Sequence, residues 1–372
     1  MDERATGSSA ISVRRMHDGE EGALRDLAGR VFSRLESAFF SPPVQTLVAE
    51  RDGHLVGAVV PKVFALPDKR LYGAIFSLMT DPQARGLGAG GRLIEATFEY
   101  FEEQGCSEVF ACVEGYNTSS SNLFAAHGLA ILSPGEQLWR YGLLGTFVLW
   151  IKMFRLGADV GHFLWARPQA AREDHPGLQW WAGTLLPSAL VFLLAGWRGG
   201  WVEGLEPSTV LGAALAIVAL FGLREAAMRL AARWQGLSVR HRVWEAALPL
   251  SAGVALMLGL FLPTPGSVCP RSLAWRYRNL LPKLGQIAFA GALAVLLFAW
   301  ATWGLLRFGG PPPEIASWLR FGHVAGQMLA LFDVLLPFSI FVSFSGRRVR
   351  DWSRPVWAVL AAATVGLFFV QG

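Results

Sequence analysis

Residues 81–91, Asp-Pro-Gln-Ala-Arg-Gly-Leu-Gly-Ala-Gly-Gly, place Gly86, Gly88 and Gly90 at every second position just ahead of an amphipathic stretch. Without a Cβ, glycine lets the backbone turn left-handed and approach a ligand closely. A helix that starts here aims its free N–H groups and positive dipole end forward, which suits a phosphate or pyrophosphate. Arg85 adds charge without filling the loop. Thr80, Leu87, Ala89 and Gly91 complete the set of candidate contacts. The bland alternative is a glycine turn that only makes room for helix–strand packing.

A second group follows at 112–124. Cys112, Glu114 and Tyr116 close a strand-like run, and Asn117, Ser120 and Phe124 belong to the helix after it. Glu114 has the chemistry of a general base, and Tyr116 or Cys112 that of an acid to a leaving group. Their bland alternatives are rim residues for Glu114 and Tyr116 and a small core filler for Cys112. His127 is placed to cap a helix end.

The elements that must hold these groups alternate strand and helix. Residues 10–16 read as an edge strand, and 20–40 as a helix on the spacing of Leu24, Leu27, Val31, Phe32 and Leu35. Residues 45–66 are two β-rich runs around Asp52-Gly53, a strong hairpin signal. A buried strand over 70–80 leads into the glycine loop. The helix over 90–105 carries Leu93, Ile94, Thr97, Phe98 and Phe101 on one face. A strand at 107–115, a helix at 119–128 and a closing strand pair over about 129–143 complete a mixed α/β sheet.

With these residues, the order resembles the GNAT N-acetyltransferase family, whose signature is V-x-P-x-x-(R/Q)-x-x-G-x-(G/A). Thr80 through Gly90 match it with only the opening Val replaced. The family's second signature, N-x-x-(S/A)-x-x-L-(Y/F)-x-x-x-G-(F/L), is met by Asn117, Ser120, Leu123, Phe124, Gly128 and Leu129. The resemblance covers about 11–143. It implies that acetyl-CoA or another acyl-CoA binds as cosubstrate along Thr80 and Arg85–Gly91, and that Asn117 and Ser120 contact its pantetheine arm. It also implies attack by an amine on the thioester, often with a Tyr as acid. At the usual Tyr position stands Phe124, which cannot donate a proton.

The rest of the chain has a different composition. Fifteen Trp and 25 Phe among 53% hydrophobic residues suit a membrane protein with aromatic belts. The formal charge of +5 comes from basic residues flanking apolar runs, which argues for juxtamembrane arginine and against nucleic acid. Three cysteines without metal spacing suit a reducing compartment. Residues 1–10 lack an apolar core, so they read as a flexible tail and not a signal peptide. Residues 144–177 read as an interfacial helix, over about 141–157, and a polar linker.

Apolar segments follow at 179–197, 208–223, 245–263, 284–306, 323–344 and 355–371. The arginine clusters after 208–223, around 271–283 and after 323–344 all lie on one side if 245–263 dips in and returns. The expected architecture is therefore a GNAT-like α/β domain plus an α-helical polytopic membrane domain (178–372) of about five spans and one re-entrant segment. Its location would be the plasma or inner membrane of a bacterium-like cell, with the N-terminal domain cytoplasmic.

Residues 205–360 more loosely resemble the site-2 protease family of intramembrane metalloproteases. At its His-Glu-x-x-His stand Arg224-Glu225-Ala226-Ala227-Met228, and at its third ligand Asp stands Ser345. A catalytic zinc needs three such side chains, so the resemblance implies a metal-free pseudoprotease scaffold. Glu225 has the bland role of an ion-pair partner for a neighbouring Arg. Together the readings imply a membrane-anchored N-acyltransferase with an amine acceptor: a protein, a small amine or a lipid-linked precursor. The alternative is an acyl-CoA-sensing adaptor that binds the bilayer and a transmembrane partner protein.

Overall fold

A computed structural model describes residues 10–32, 37, 40, 42–154, 159–168, 176–202, 204, 206–272, 275–336 and 342–370. The tail, Leu35, the end of the expected interfacial helix and most of the expected linker lie outside these residues.

The first half is a seven-stranded sheet in the order β1-β2-β3-β4-β5-β7-β6. Its strands are β1 (Ser12–Arg15), β2 (Leu47–Arg51), β3 (His54–Ala65), β4 (Leu71–Thr80), β5 (Glu108–Glu114), β6 (Ala130–Ile131) and β7 (His162–Arg167). Only β4 and β5 run parallel. The β2–β3 turn uses Asp52 at φ 53° and Gly53 at φ 75°, the left-handed pair that such a two-residue loop requires. Helix α1 (Glu21–Val31) buries Leu24, Leu27 and Ala28 against one face of the sheet. Helices α2 (Ala89–Glu103) and α3 (Thr118–Ala126) pack on the other, where Leu93, Ile94, Phe98 and Phe101 enter the main core.

The closing strand pair differs from the expectation. Only Ala130–Ile131 pairs there, and α4 (Pro134–Met153) begins directly after it. Ser133 accepts a hydrogen bond from the Glu136 N–H, and Pro134 occupies the first helical position, so local capping chemistry wins over strand pairing. The seventh strand comes instead from His162–Arg167, within the stretch expected to be helix and linker. Its Phe163, Leu164, Trp165 and Ala166 are all buried between the two layers. The outer face of α4 exposes Leu143, Leu144, Phe147 and Ile151.

The second half is helical. Helix α5 (Pro176–Trp180) passes through a π-turn, Trp181–Leu185, into α6 (Leu186–Arg198). Then come α7 (Pro207–Trp234), the hairpin β8 (Val239–Arg242) and β9 (Ser267–Pro270) with α8 (Ala247–Leu258) between them, and α9 (Tyr277–Phe308). The chain continues through α10 (Pro313–Ala330), a π-turn at Leu331–Leu335, α11 (Ser345–Trp352) and α12 (Arg354–Phe369). Among the described residues three helices are long and apolar enough to cross a membrane: Gly177–Arg198, Pro207–Trp234 and Tyr277–Phe308. The 12 residues of α8 rise about 18 Å, short of a hydrocarbon core of about 30 Å. The apolar run 323–344 is not one helix either: Leu336 leaves helical geometry, and 337–341 lie outside the described residues.

Candidate functional site

The glycine loop hangs from the end of β4. Strands β4 and β5 pair only from Tyr72 with Glu108 to Ile75 with Ala111, although they continue to Thr80 and Glu114. Beyond that register the two strands no longer pair with each other, while the β4 end stays paired with β3. Asp81 caps a short turn, Pro82–Ala84, by accepting from the Gln83 N–H at 2.9 Å. That N–H, with Arg30 at 2.9 Å, holds the Asp81 carboxyl below its usual range.

Gly86 (φ 82°) and Gly88 (φ 88°) are left-handed, and Gly88 sits at the N-cap of α2 with no side-chain cap. The first-turn N–H groups of Ala89, Gly90 and Gly91 thus have no intrahelical acceptor. A Cβ on Gly90 would stand 2.9 Å from Leu123 Cδ2, so the start of α2 lies close against α3 there and a larger residue would push the Leu123 side chain aside. Arg85 and Leu87 are exposed at the loop, and Thr80 is half-buried beneath it.

Asn117 caps α3, its Oδ1 accepting from the Ser120 N–H at 3.2 Å. Phe124 is 4% exposed and belongs to the core. His127 caps the far end of α3 through the Leu123 carbonyl, 2.8 Å from Nδ1. Gly90 of the loop therefore lies against Leu123 of the helix that Asn117 caps.

The end of β5 meets the helical half. Ser343 Oγ donates to Glu114 Oε1 at 3.0 Å, and the Tyr116 hydroxyl donates to the Val268 carbonyl at 3.4 Å. Tyr116 is 8% exposed, edge-on to Trp275 and Tyr277 and 4.3 Å from the Arg348 guanidinium carbon. Its burial pushes the phenol well above its usual range. Tyr277 N–H donates to Thr118 Oγ1 at 3.1 Å, and Asn122 Nδ2 donates to the Trp275 carbonyl at 3.0 Å. The start of α9 is thereby fastened to α3. Trp275, Tyr277, Ser343 and Arg348 carry no motif of their own, and only their aromatic and basic types within apolar sequence hinted at a role. Cys112 is half-buried.

A separate polar knot lies inside the helices. Arg224 makes two contacts to Asp333, both at 3.1 Å, and reaches Ser345 Oγ at 3.1 Å. The Ser345 N–H donates to Asp333 Oδ1 at 2.9 Å. Glu225 pairs with Arg229 at 2.7 Å and with His241 at 3.1 Å. Among the described residues no three His, Cys, Asp or Glu side chains converge as a metal site.

With that geometry in place, residues 14–129 match the acetyltransferase (GNAT) family and form a domain of that type. Mycothiol acetyltransferase of Propionibacterium freudenreichii subsp. shermanii is 29% identical over 118 residues, 32% of this chain and 37% of that protein. The chain therefore spans little more than a third of that relative's length. Among solved structures, N-acetylglutamate synthase from Neisseria gonorrhoeae with coenzyme A and N-acetyl-glutamate is 25% identical, covering 43% of this chain and 35% of the other (TM-score 0.31). Arabidopsis thaliana Naa50 with a bisubstrate analogue is 14% identical, covering 42% of this chain and 97% of the other (TM-score 0.31).

Proposed function

We propose that the chain is an acyl-CoA-dependent N-acyltransferase, acting from acetyl-CoA on an amine at the cytosolic face of a membrane that its long apolar helices cross. The observation that carries the reading is the uncapped, glycine-built start of α2 after the β4 end, where β4 no longer pairs with β5. Its geometry fits the cosubstrate: Gly88 to Gly91 offer N–H groups to a pyrophosphate, and Arg85 supplies a cation beside them. Thr80, Gly86, Leu87 and Ala89 shape the loop, and Asn117, Ser120 and Phe124 of the following helix lie along the path of the extended arm. When bound, the cosubstrate supplies an activated acyl thioester.

The chain's own groups would move the protons. Glu114, at the end of β5, is placed to accept the proton of an attacking amine. Tyr116 stays protonated at neutral pH, as an acid must, but its O–H is turned toward Val268 and its ring is covered. Donation to a leaving thiolate requires the contact at Val268 to open.

That cover, together with Phe124 at the usual tyrosine position, supports a second reading: an acyl-CoA-sensing regulator without turnover that binds a membrane partner. Release of free coenzyme A from acetyl-CoA plus a panel of amines separates the two. Amine-dependent release supports the enzyme, whereas acetyl-CoA binding with no release supports the sensor.

For the helical half, the pseudoprotease reading draws support from one contact. Arg224 and Ser345, which the resemblance aligns with two metal ligands, are hydrogen-bonded to each other 121 residues apart. A guanidinium paired with Asp333 takes the place of the cation, and Met228 lies one turn further along α7. Such a scaffold retains a buried charge pair without hydrolytic chemistry.

A further inference from the structure

Two adjoining cavities lie between the sheet and the β8–β9 hairpin. The inner, of about 30 Å³, is narrow and is walled by Gly115 and Ser121 from the acetyltransferase half and by Arg240, Arg242 and Cys269 from the hairpin. The outer, of about 400 Å³ and open to the surface, is walled by Leu237, Ser238, Arg276, Asn279 and Leu280. They share Pro270, Ser272 and Trp275. Gly115 directly follows the β5 end that carries Glu114, so the inner cavity abuts the place where acyl transfer would occur. The outer cavity lies where α7 has ended and α9 begins. These two long apolar helices are tied there by Lys283 Nζ donating to the Gln235 carbonyl at 2.8 Å.

The charge on these walls is positive. Arg242 is 6% exposed and stands 5.7 Å from the Phe163 ring centroid. Arg348 lines neither cavity but lies against Tyr116, is 2% exposed, and its Nη2 has no hydrogen-bond partner among the described residues. Arg276 guards the outer mouth. Carboxylates near this group include Asp333, which acts on Arg348, Glu114, engaged by Ser343, and Glu245, which accepts from the Leu164 N–H and Gln137 Nε2. Burial raises the Glu245 carboxyl to about 7, so it offsets little positive charge below that pH. Guanidinia along these walls suit a phosphate anion, whose oxygens match the paired N–H groups of the fork.

We propose that these adjoining cavities are the acceptor site, and that the acceptor is a primary amine carrying a phosphate group, which Arg242 and Arg276 hold while the amine reaches the end of β5. The proposal rests on the N-acyltransferase reading and deepens it. In the reaction the amine nitrogen bonds to the thioester carbonyl carbon, the C–S bond breaks, and the proton lost from nitrogen ends on the coenzyme A thiol. The same head-group chemistry is offered by a lipid at the membrane face and by a soluble phosphoamine.

The test uses the full chain in lipid nanodiscs of phosphatidylcholine. First, O-phosphoethanolamine and ethanolamine are titrated calorimetrically without acyl donor. The phosphoamine is expected to bind at least about tenfold more tightly, with that advantage lost in Arg242→Gln and in the exposed Arg276→Gln. Second, labelled acetyl transfer from acetyl-CoA is measured to both soluble amines, and to phosphatidylethanolamine included in the disc. Transfer to either phosphoamine, with KM raised about tenfold by Arg276→Gln and the KM for acetyl-CoA unchanged, supports the site, and the better substrate assigns the source. Equal binding and equal kcat/KM for ethanolamine and O-phosphoethanolamine would overturn it while leaving the acyltransferase standing. Tight, arginine-dependent binding without any acetyl transfer would support an anionic-amine site and refute the acyltransferase reading instead.

Discussion

Glu245 gives the structure its most direct thermodynamic test. It lies between β8 and α8, outside the three long apolar helices, and its carboxylate faces β7 and α4. The side chain is 1% exposed, and burial lifts its pKa from 4.5 to about 7. Because the folded-state pKa is raised, the unfolded chain gives up this proton first as pH rises. The contribution of Glu245 to stability is therefore greatest below pH 4.5, falls between 4.5 and about 7, and is flat above. The full difference across that window is about 3 kcal/mol, or a few degrees in Tm for a chain of this size.

Glu245→Gln keeps an oxygen to accept from Leu164 and Gln137 but cannot ionise. Scanning fluorimetry of both proteins in the same detergent, from pH 4 to 8.5, isolates this group in the difference curve, because the other titrating residues cancel. The variant is expected to match wild type near pH 4.5 and to exceed it progressively up to about pH 7. A difference curve that is flat across the window, or a variant less stable than wild type at pH 8, would refute the reasoning.

Arg224→Met strands the buried Asp333 carboxylate and is expected to cost about 3–5 kcal/mol in detergent unfolding, most of it recovered in Arg224→Met/Asp333→Leu. The triple variant Arg224→His/Met228→His/Ser345→Asp is expected to gain about one zinc per chain by metal analysis after dialysis. Zinc no higher than in wild type would count against the pseudoprotease reading. Glu114→Gln is expected to lower kcat by about 10²-fold or more with the acetyl-CoA Kd unchanged, measured by coenzyme A release and by calorimetry.

The parts of the fold that could be read ahead were those fixed by local chemistry. Asp52-Gly53 demands left-handed φ, so its hairpin was evident, as were the glycine loop and the buried stripe of α2. The α4 cap at Ser133 and Glu136 was equally local, and was missed because a short strand precedes it. His162–Arg167 was missed for another reason: it pairs with β5, some 50 residues earlier, across two intervening helices. The site divides in the same way. The loop and the Asn117 cap announce themselves by residue type and spacing, whereas Tyr116 with Val268, or Glu114 with Ser343, join segments 152 and 229 residues apart. Periodicity carries no record of such contacts. The Arg224–Asp333 pair was half visible: the Arg stood out at a metal-ligand position, but its partner looked like one acid in an apolar run.

The central claim is that the start of α2 cradles the pyrophosphate of acetyl-CoA. Calorimetric titration of acetyl-CoA into the full chain, beside Arg85→Glu/Gly88→Asp, measures this directly. Micromolar binding by the parent, about 10-fold to 10²-fold weaker in a variant of unchanged Tm, is the expected result. No binding by the folded parent, or binding indifferent to both substitutions, would contradict the account.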